Sequence, residues 1–101
     1  MLFAIMAYDK DDGGAIRATT RQAHLDYLTS AGDRLKLAGP LRGDDDDKPV
    51  GSLIVLDAAG IEAVRIFAHN DPYAQAGLFR RVEIHPFAAI LGRWSESENS
   101  G

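Results

Sequence analysis

Two short runs, LFAIMAY (residues 2–8) and SLIVLDA (52–58), constrain this chain more than any other feature. Each is too short for a stable helix, and each carries apolar residues at both odd and even positions through its centre. Strict alternation marks a strand with one wet face, whereas a run apolar on both faces marks a strand covered on both sides. Any fold for this chain must therefore cover two strands twice. A chain of 101 residues is one domain by size, and it buries only about two-thirds of its unfolded surface, so a partner subunit would help it.

The remaining segments supply one of the two layers. DKDDGG (9–14) is a loop by its Asp and Gly content. AIRATTRQAHLDYLTSAGDRLKLAG (15–39) reads as a helix, with Leu25, Leu28, Ala31, Gly32 and Leu35 at three- and four-residue spacing and Gly39-Pro40 as its stop. Its start is open: Ala15 is one candidate, and Thr19 or Thr20 capping a fresh helix from Arg21 is another. LAGPLRG (37–43) leads into a short second strand, and GDDDDKPVG (43–51) is a polar loop before SLIVLDA. GIEAVRIFAHN (60–70) is a second helix with Ile61, Val64, Phe67 and Ala68 as its stripe, AQAG (74–77) a further turn, and LFRRVEIHPFAAILGRW (78–94) the last strand. The domain thus spans 1–94, followed by a polar tail, SESENSG (95–101). The order β-α-β-β-α-β is the ferredoxin-like plan, an α+β fold with a four-stranded antiparallel sheet. Two helices cover one face of such a sheet. The other face needs a second copy of the chain, which predicts a homodimer.

Composition removes several function classes. A formal charge of −4 and a pI near 5.2, with scattered basic residues, argue against nucleic acid. The chain has no cysteine, which excludes disulfides, thiolate catalysis and Cys-based metal sites. No run approaches the length of a membrane span, and the N-terminus turns acidic within nine residues, so a cytoplasmic location is the expectation. Asp44, Asp45, Asp46 and Asp47 resemble a cation site, but without EF-hand spacing a solvated loop is the simpler reading. His24, His69 and His85 lack metal-ligand spacing, and no phosphate-binding glycine loop or serine elbow occurs.

One pairing of residues carries chemistry. Asp71-Pro72 has the form of a helix cap followed by a residue shaped for the first helical position. His24 borders the apolar stripe of the first helix, facing the sheet or a cleft beneath it. In this plan both helices are expected to lie on one face and run in the same direction. If they start near Ile16 and Ile61, His24 lies about 12 Å and Asp71 about 15 Å along their axes. With axes roughly 8–10 Å apart the side chains could meet; a helix starting at Arg21 would separate them by about 10 Å. A carboxylate on one ring nitrogen would fix the tautomer and leave the other as a positioned general base. Arg21, one turn before His24, would anchor an anionic group, and Tyr73 would offer a hydroxyl or pack its ring.

These stretches, MLFAIMAYDKDD, RQAHLDYL, AGPL, GSLIVLDA and NDPYAQAGLF…VEIHPF, resemble in order and spacing the YCII-related (YciI-like) family over residues 1–92. R-x-x-H-L and D-P-Y-x-x-A-G-L-F are the most specific parts. The resemblance implies a dimeric α+β barrel and a His–Asp dyad falling on His24 and Asp71, with Arg21 and Tyr73 matching the accompanying arginine and aromatic. Relatives include a dehydrochlorinase acting on a chlorinated hydroxyquinol, and the wider superfamily includes muconolactone isomerases and monooxygenases. Gln22 replaces a frequent proline, and the acidic loop at 44–47 disfavours a strongly anionic substrate. The expectation is a cofactor-independent lyase or isomerase that needs no metal, with His24 and Asp71 as catalytic residues and Arg21 and Tyr73 as substrate-binding ones. The alternative is a homodimer that binds or senses a small ligand without turnover.

Overall fold

The computed structural model describes residues 1–95. Its elements are β1 (Leu2–Asp9), α1 (Gly14–Thr29), a 3-10 turn (Gly32–Arg34), β2 (Leu35–Arg42), β3 (Pro49–Asp57), α2 (Ile61–His69), α3 (Pro72–Gln75), β4 (Phe79–Phe87) and a 3-10 turn at Arg93–Ser95. The strands form one four-stranded sheet in the order β2-β3-β1-β4, every pair antiparallel. This is the βαββαβ ferredoxin-like fold, with the two doubly apolar strands at the centre.

Alternation sorts each central strand onto two faces. On the helix side, Phe3 and Ile5 of β1 stand beside Leu56 and Ile54 of β3. They meet Leu28 and Ala31 at and just beyond the end of α1, and Val64 and Phe67 of α2. Each large apolar side chain sealed here contributes about 1.5–3 kcal/mol. On the opposite face Ala4, Met6, Leu53 and Val55 are half-buried, while Leu37 and Phe87 are 40% and 47% exposed. Among the described residues no helix is long and apolar enough to cross a membrane.

Three expectations change. The first helix ends at Thr29 rather than Gly39, because Gly32 takes a left-handed φ of +61°. Leu35, which continued the helical spacing, lies on β2 together with Leu37, and a register shift between them puts Leu35 opposite Leu56 and Leu37 opposite Val55. Gly39-Pro40 stops nothing; it lies inside β2, an edge strand, where a proline without an N–H is tolerated. The last strand likewise ends at Phe87 instead of Trp94. The start of α1 favours the Ala15 reading to within one residue: Gly13 precedes it, and neither Thr19 nor Thr20 begins a new helix. Of the polar tail, residues 96–101 lie outside the described residues.

The helix directions also differ from expectation. Since β1 and β2 are both antiparallel to β3, they are parallel to each other, and α1 must return against them. The same logic applied to β3 and β4, both antiparallel to β1, sends α2 the opposite way. The two helices are therefore antiparallel to one another.

Gly51, near the start of β3, leaves no room for a side chain: a Cβ there would collide with the Ala7 carbonyl oxygen and lie 3.2 Å from Leu41 Cδ1. Gly51→Ala should therefore destabilise the fold by about 1–3 kcal/mol, lowering Tm by several degrees in a thermal unfolding scan. An unchanged Tm would mean that β1 and β3 can part without cost.

Candidate active site

The site is assembled where α2 ends and the chain turns back. Asp71 precedes the one-turn helix α3, and its Oδ1 accepts the Tyr73 amide hydrogen at 2.9 Å, with Pro72 at the first helical position. Gly77, at a φ of +80°, lets the chain leave this turn for β4. The cap predicted from Asp-Pro-Tyr is thus present, and it fixes the carboxylate rigidly.

The same oxygen meets His24. Asp71 Oδ1 lies 2.8 Å from His24 Nδ1, and the two residues are 2% and 7% exposed. The pair forms even though α1 and α2 are antiparallel, because Asp71 lies beyond α2 and α3 brings it to α1. With an anionic acceptor at Nδ1, the neutral ring carries its proton there and leaves the Nε2 lone pair free. Nε2 has no partner among the described residues, yet no side-chain nitrogen there is both sealed and unpaired. Nε2 therefore opens onto the cleft that His24 lines.

Tyr73 holds the imidazole from one side. Its ring stacks on His24 at 3.9 Å between centroids and 14° between planes, and its edge meets Phe79 at 6.1 Å. Tyr73 is itself 1% exposed, and its hydroxyl points at the Arg17 carbonyl oxygen, 3.5 Å away. Burial pushes the Tyr73 hydroxyl above the usual tyrosine range, opposed by the nearby charges of Arg17 and Arg21.

The arginine built into the site is Arg17, which sequence reasoning passed over. Its Nε and Nη2 grip both oxygens of Asp9 at 2.8 and 2.9 Å, and Nη2 also reaches the Gly51 carbonyl and Ser52 Oγ, each at 3.1 Å. Its guanidinium carbon sits 4.8 Å from the centre of the Tyr73 ring. Partial burial works against this charge, but the fork to Asp9, helped by the nearby Tyr73 hydroxyl, holds Arg17 above the ordinary guanidinium range. Arg21, one turn on, lines the same cleft but is exposed, with no ion-pair or hydrogen-bond partner among the described residues. A signal for Arg17 existed: it precedes His24 by two helical turns and so shares its face.

The cleft has a volume of about 1090 Å³. Its walls combine Leu25, Leu28 and Ile54 with the Ala38-Gly39-Pro40 stretch of β2, and Arg21 and Lys48 also line it. The four aspartates of the 44–47 loop are exposed, and Asp46 uses Oδ1 to accept the Lys48 amide at 3.1 Å. His85 bonds Glu83 on β4, and His69 ends α2 on the surface, so neither joins His24.

Because one oxygen serves as cap and as imidazole partner, two substitutions separate geometry from charge. Asp71→Ala removes both hydrogen bonds and should cost about 1–3 kcal/mol in urea unfolding. Asp71→Asn keeps an acceptor for both donors and should recover at least half of that loss. Equal losses for the two variants would show that the shared oxygen is not what anchors the turn.

Comparison with known proteins gives this geometry a context. The sequence pattern of the YCII-related domain family matches residues 1–88. Protein YciI of Escherichia coli O6:H1 is 35% identical over 98 aligned positions, covering 90% of this chain and 100% of the relative. An uncharacterized protein of Haemophilus influenzae is 31% identical over the same shares. Among solved structures, the 5-chloro-2-hydroxyhydroquinone dehydrochlorinase of Burkholderia phenoliruptrix AC1100, in complex with 2,5-dihydroxybenzoquinone, superposes with a TM-score of 0.80 at 31% identity, over 86% of this chain and 93% of that one. A cofactor-independent oxygenase from Streptomyces nogalater, with a TM-score of 0.54 at 11% identity over 89% and 94% of the two chains, shares the fold alone.

Proposed function

The chain belongs to the YCII-related domain family, and from that premise we propose that it is a small-molecule enzyme in which His24 is the general acid and base and Asp71 orients it. The observation that carries this reading is the 2.8 Å contact between His24 Nδ1 and Asp71 Oδ1, with Nε2 turned to a cleft. Stacking on Tyr73 removes the ring's remaining freedom, so the base is positioned before any ligand arrives.

The chemistry best suited to this arrangement is elimination or isomerisation of a small, oxygenated ring molecule, as in a dehydrochlorinase-like lyase. Nε2 takes a proton from a ring hydroxyl or an activated carbon. The electron pair left behind forms a carbonyl or ring double bond. In an elimination from an aromatic ring, Nε2–H first returns the proton to the carbon that carries the leaving group. Chloride then departs with its bonding pair as a second ring hydroxyl gives up its proton. In an isomerisation, Nε2 returns the proton at another carbon. Asp71 stabilises the imidazolium between these steps. No redox change occurs, and the reaction calls for no cofactor. A structural relative at 31% identity acts on a chlorinated hydroxyhydroquinone, which supports a hydroxylated ring as the substrate class. Arg21 at the cleft would meet an anionic substituent, while Tyr73 would orient the base by its ring rather than its hydroxyl.

The test uses 5-chloro-2-hydroxyhydroquinone as substrate and 2,5-dihydroxybenzoquinone as ligand. His24→Gln should lower kcat/KM by about 10²–10⁴ while changing the Kd for the quinone only a few-fold. If turnover and affinity fall together, or the wild type binds without turnover, the ligand-binding module is the correct reading instead.

The same proposal includes a homodimer formed through the sheet face away from the helices. Ala4, Met6, Leu53, Val55 and Leu37 make a contiguous apolar surface there, since Val55 pairs with Ala4 on one side and Leu37 on the other. Val55→Asp places a charge at its centre and should convert a dimer to a monomer in sedimentation velocity, with the far-UV circular dichroism unchanged. A wild-type chain that sediments as a monomer at micromolar concentration would end this part of the proposal.

A further inference from the structure

Ser52 is a polar residue in the wrong company. It stands on the helix-facing side of β3, opposite Ala7 of β1 and Pro40 of β2, with Ile54 next along the same face. It is 3% exposed, and it lines the cleft together with His24 and Arg17. A buried hydroxyl in an apolar strand centre is a cost unless its hydrogen-bonding capacity is used.

Counting donors shows what is used and what is left. Ser52 Oγ accepts from Arg17 Nη2 at 3.1 Å. Its own hydrogen has no acceptor among the described residues. Arg17 has five N–H groups. Nε and Nη2 are committed to Asp9, the Gly51 carbonyl and Ser52, while Nη1 has no partner among the described residues. No side-chain nitrogen or oxygen there is both sealed from solvent and unpaired, so the unpaired Nη1 is reachable, and Ser52 is one of the residues that line the cleft. Asp9 thus fixes Arg17, Arg17 fixes the hydroxyl as an acceptor, and the unspent hydrogens remain available to a guest in the cleft.

We propose that Ser52 Oγ–H and the Nη1 hydrogens of Arg17 form an oxyanion seat, which holds the substrate oxygen on which negative charge develops. The seat rests on the reading of His24 as the base. When Nε2 takes a proton, the bond to hydrogen breaks, Nε2–H forms, and the freed pair delocalises onto a carbonyl or ring oxygen. That oxygen is what the seat receives. Preorganised donors aimed at a developing charge act most strongly in a site that excludes water.

The seat also has a preference. Asp9 cancels the formal charge of Arg17, so the oxygen is held by directed hydrogen bonds and not by net positive charge. A delocalised monoanion attached to a flat ring suits it, and a compact dianion such as phosphate does not. Ser52 and Asp9 are therefore assigned different parts: Ser52 touches the substrate, and Asp9 is a positioning residue that acts through Arg17.

The experiment needs no turnover. The isotope-labelled full-length chain is titrated with benzoate, an unreactive planar monoanion, and separately with inorganic phosphate, following the Ser52 amide and Arg17 Nε–H resonances by NMR. Benzoate should shift both and saturate, and phosphate should shift neither. Ser52→Ala, checked for an unchanged Tm, should weaken benzoate about tenfold. Arg17→Lys, which keeps the charge but lacks the fork and Nη1, should weaken it at least as much. A wild type whose two resonances ignore benzoate, a Ser52→Ala chain that binds it as tightly as the parent, or phosphate binding equally well at these residues would overturn the seat. A failed dyad would appear elsewhere, as full turnover in His24→Gln, which benzoate affinity does not report.

Discussion

One carboxylate oxygen organises this protein's working end. Asp71 Oδ1 accepts from a backbone amide of the turn that follows it and meets the imidazole of His24 on another helix. The first contact shapes α3, and α3 carries Tyr73 into the position where its ring lies against that imidazole. Cap, stack and dyad are therefore one cooperative unit. None of its members can relax alone, because each is nine-tenths or more buried and held by the others. The imidazole is held because the turn is held.

A second unit lies next to it and works differently. The Arg17–Asp9 pair ties the start of α1 to the end of β1, while Gly51 and Ser52 supply the floor. Burial alone would disfavour the guanidinium charge, and its bidentate partner together with the Tyr73 hydroxyl more than restores it. Tyr73 touches both units, stacked on His24 and beneath the Arg17 guanidinium. It is the joint between the imidazole–carboxylate pair and the guanidinium–carboxylate pair.

Much of this was legible in the chain, for identifiable reasons. The central strands were readable because two-faced apolar runs have few structural alternatives, and the dyad residues because Asp-Pro is a local signal and His24 borders a helical stripe. The route to the dyad was wrong, however. It assumed parallel helices, whereas the sheet makes them antiparallel; the contact survives because Asp71 is not on α2 but past it. Helical spacing ran on through Leu35 because Leu28, Ala31 and Leu35 fit either reading, and only the left-handed Gly32 separates them. Arg17 was missed because its partner, Asp9, ends a strand, and no periodicity links a strand end to a residue in the next helix.

The stretch Ala38-Gly39-Pro40 gives the cleft a wall almost bare of side chains, carried on a strand with a single neighbour. The buried His24–Asp71 pair and this bare wall of the cleft are thereby kept on separate elements. Enlarging Ala38 would narrow the chamber while leaving the imidazole, its carboxylate and the guanidinium untouched. A scaffold partitioned in this way can change its clientele along one border without rebuilding its machinery.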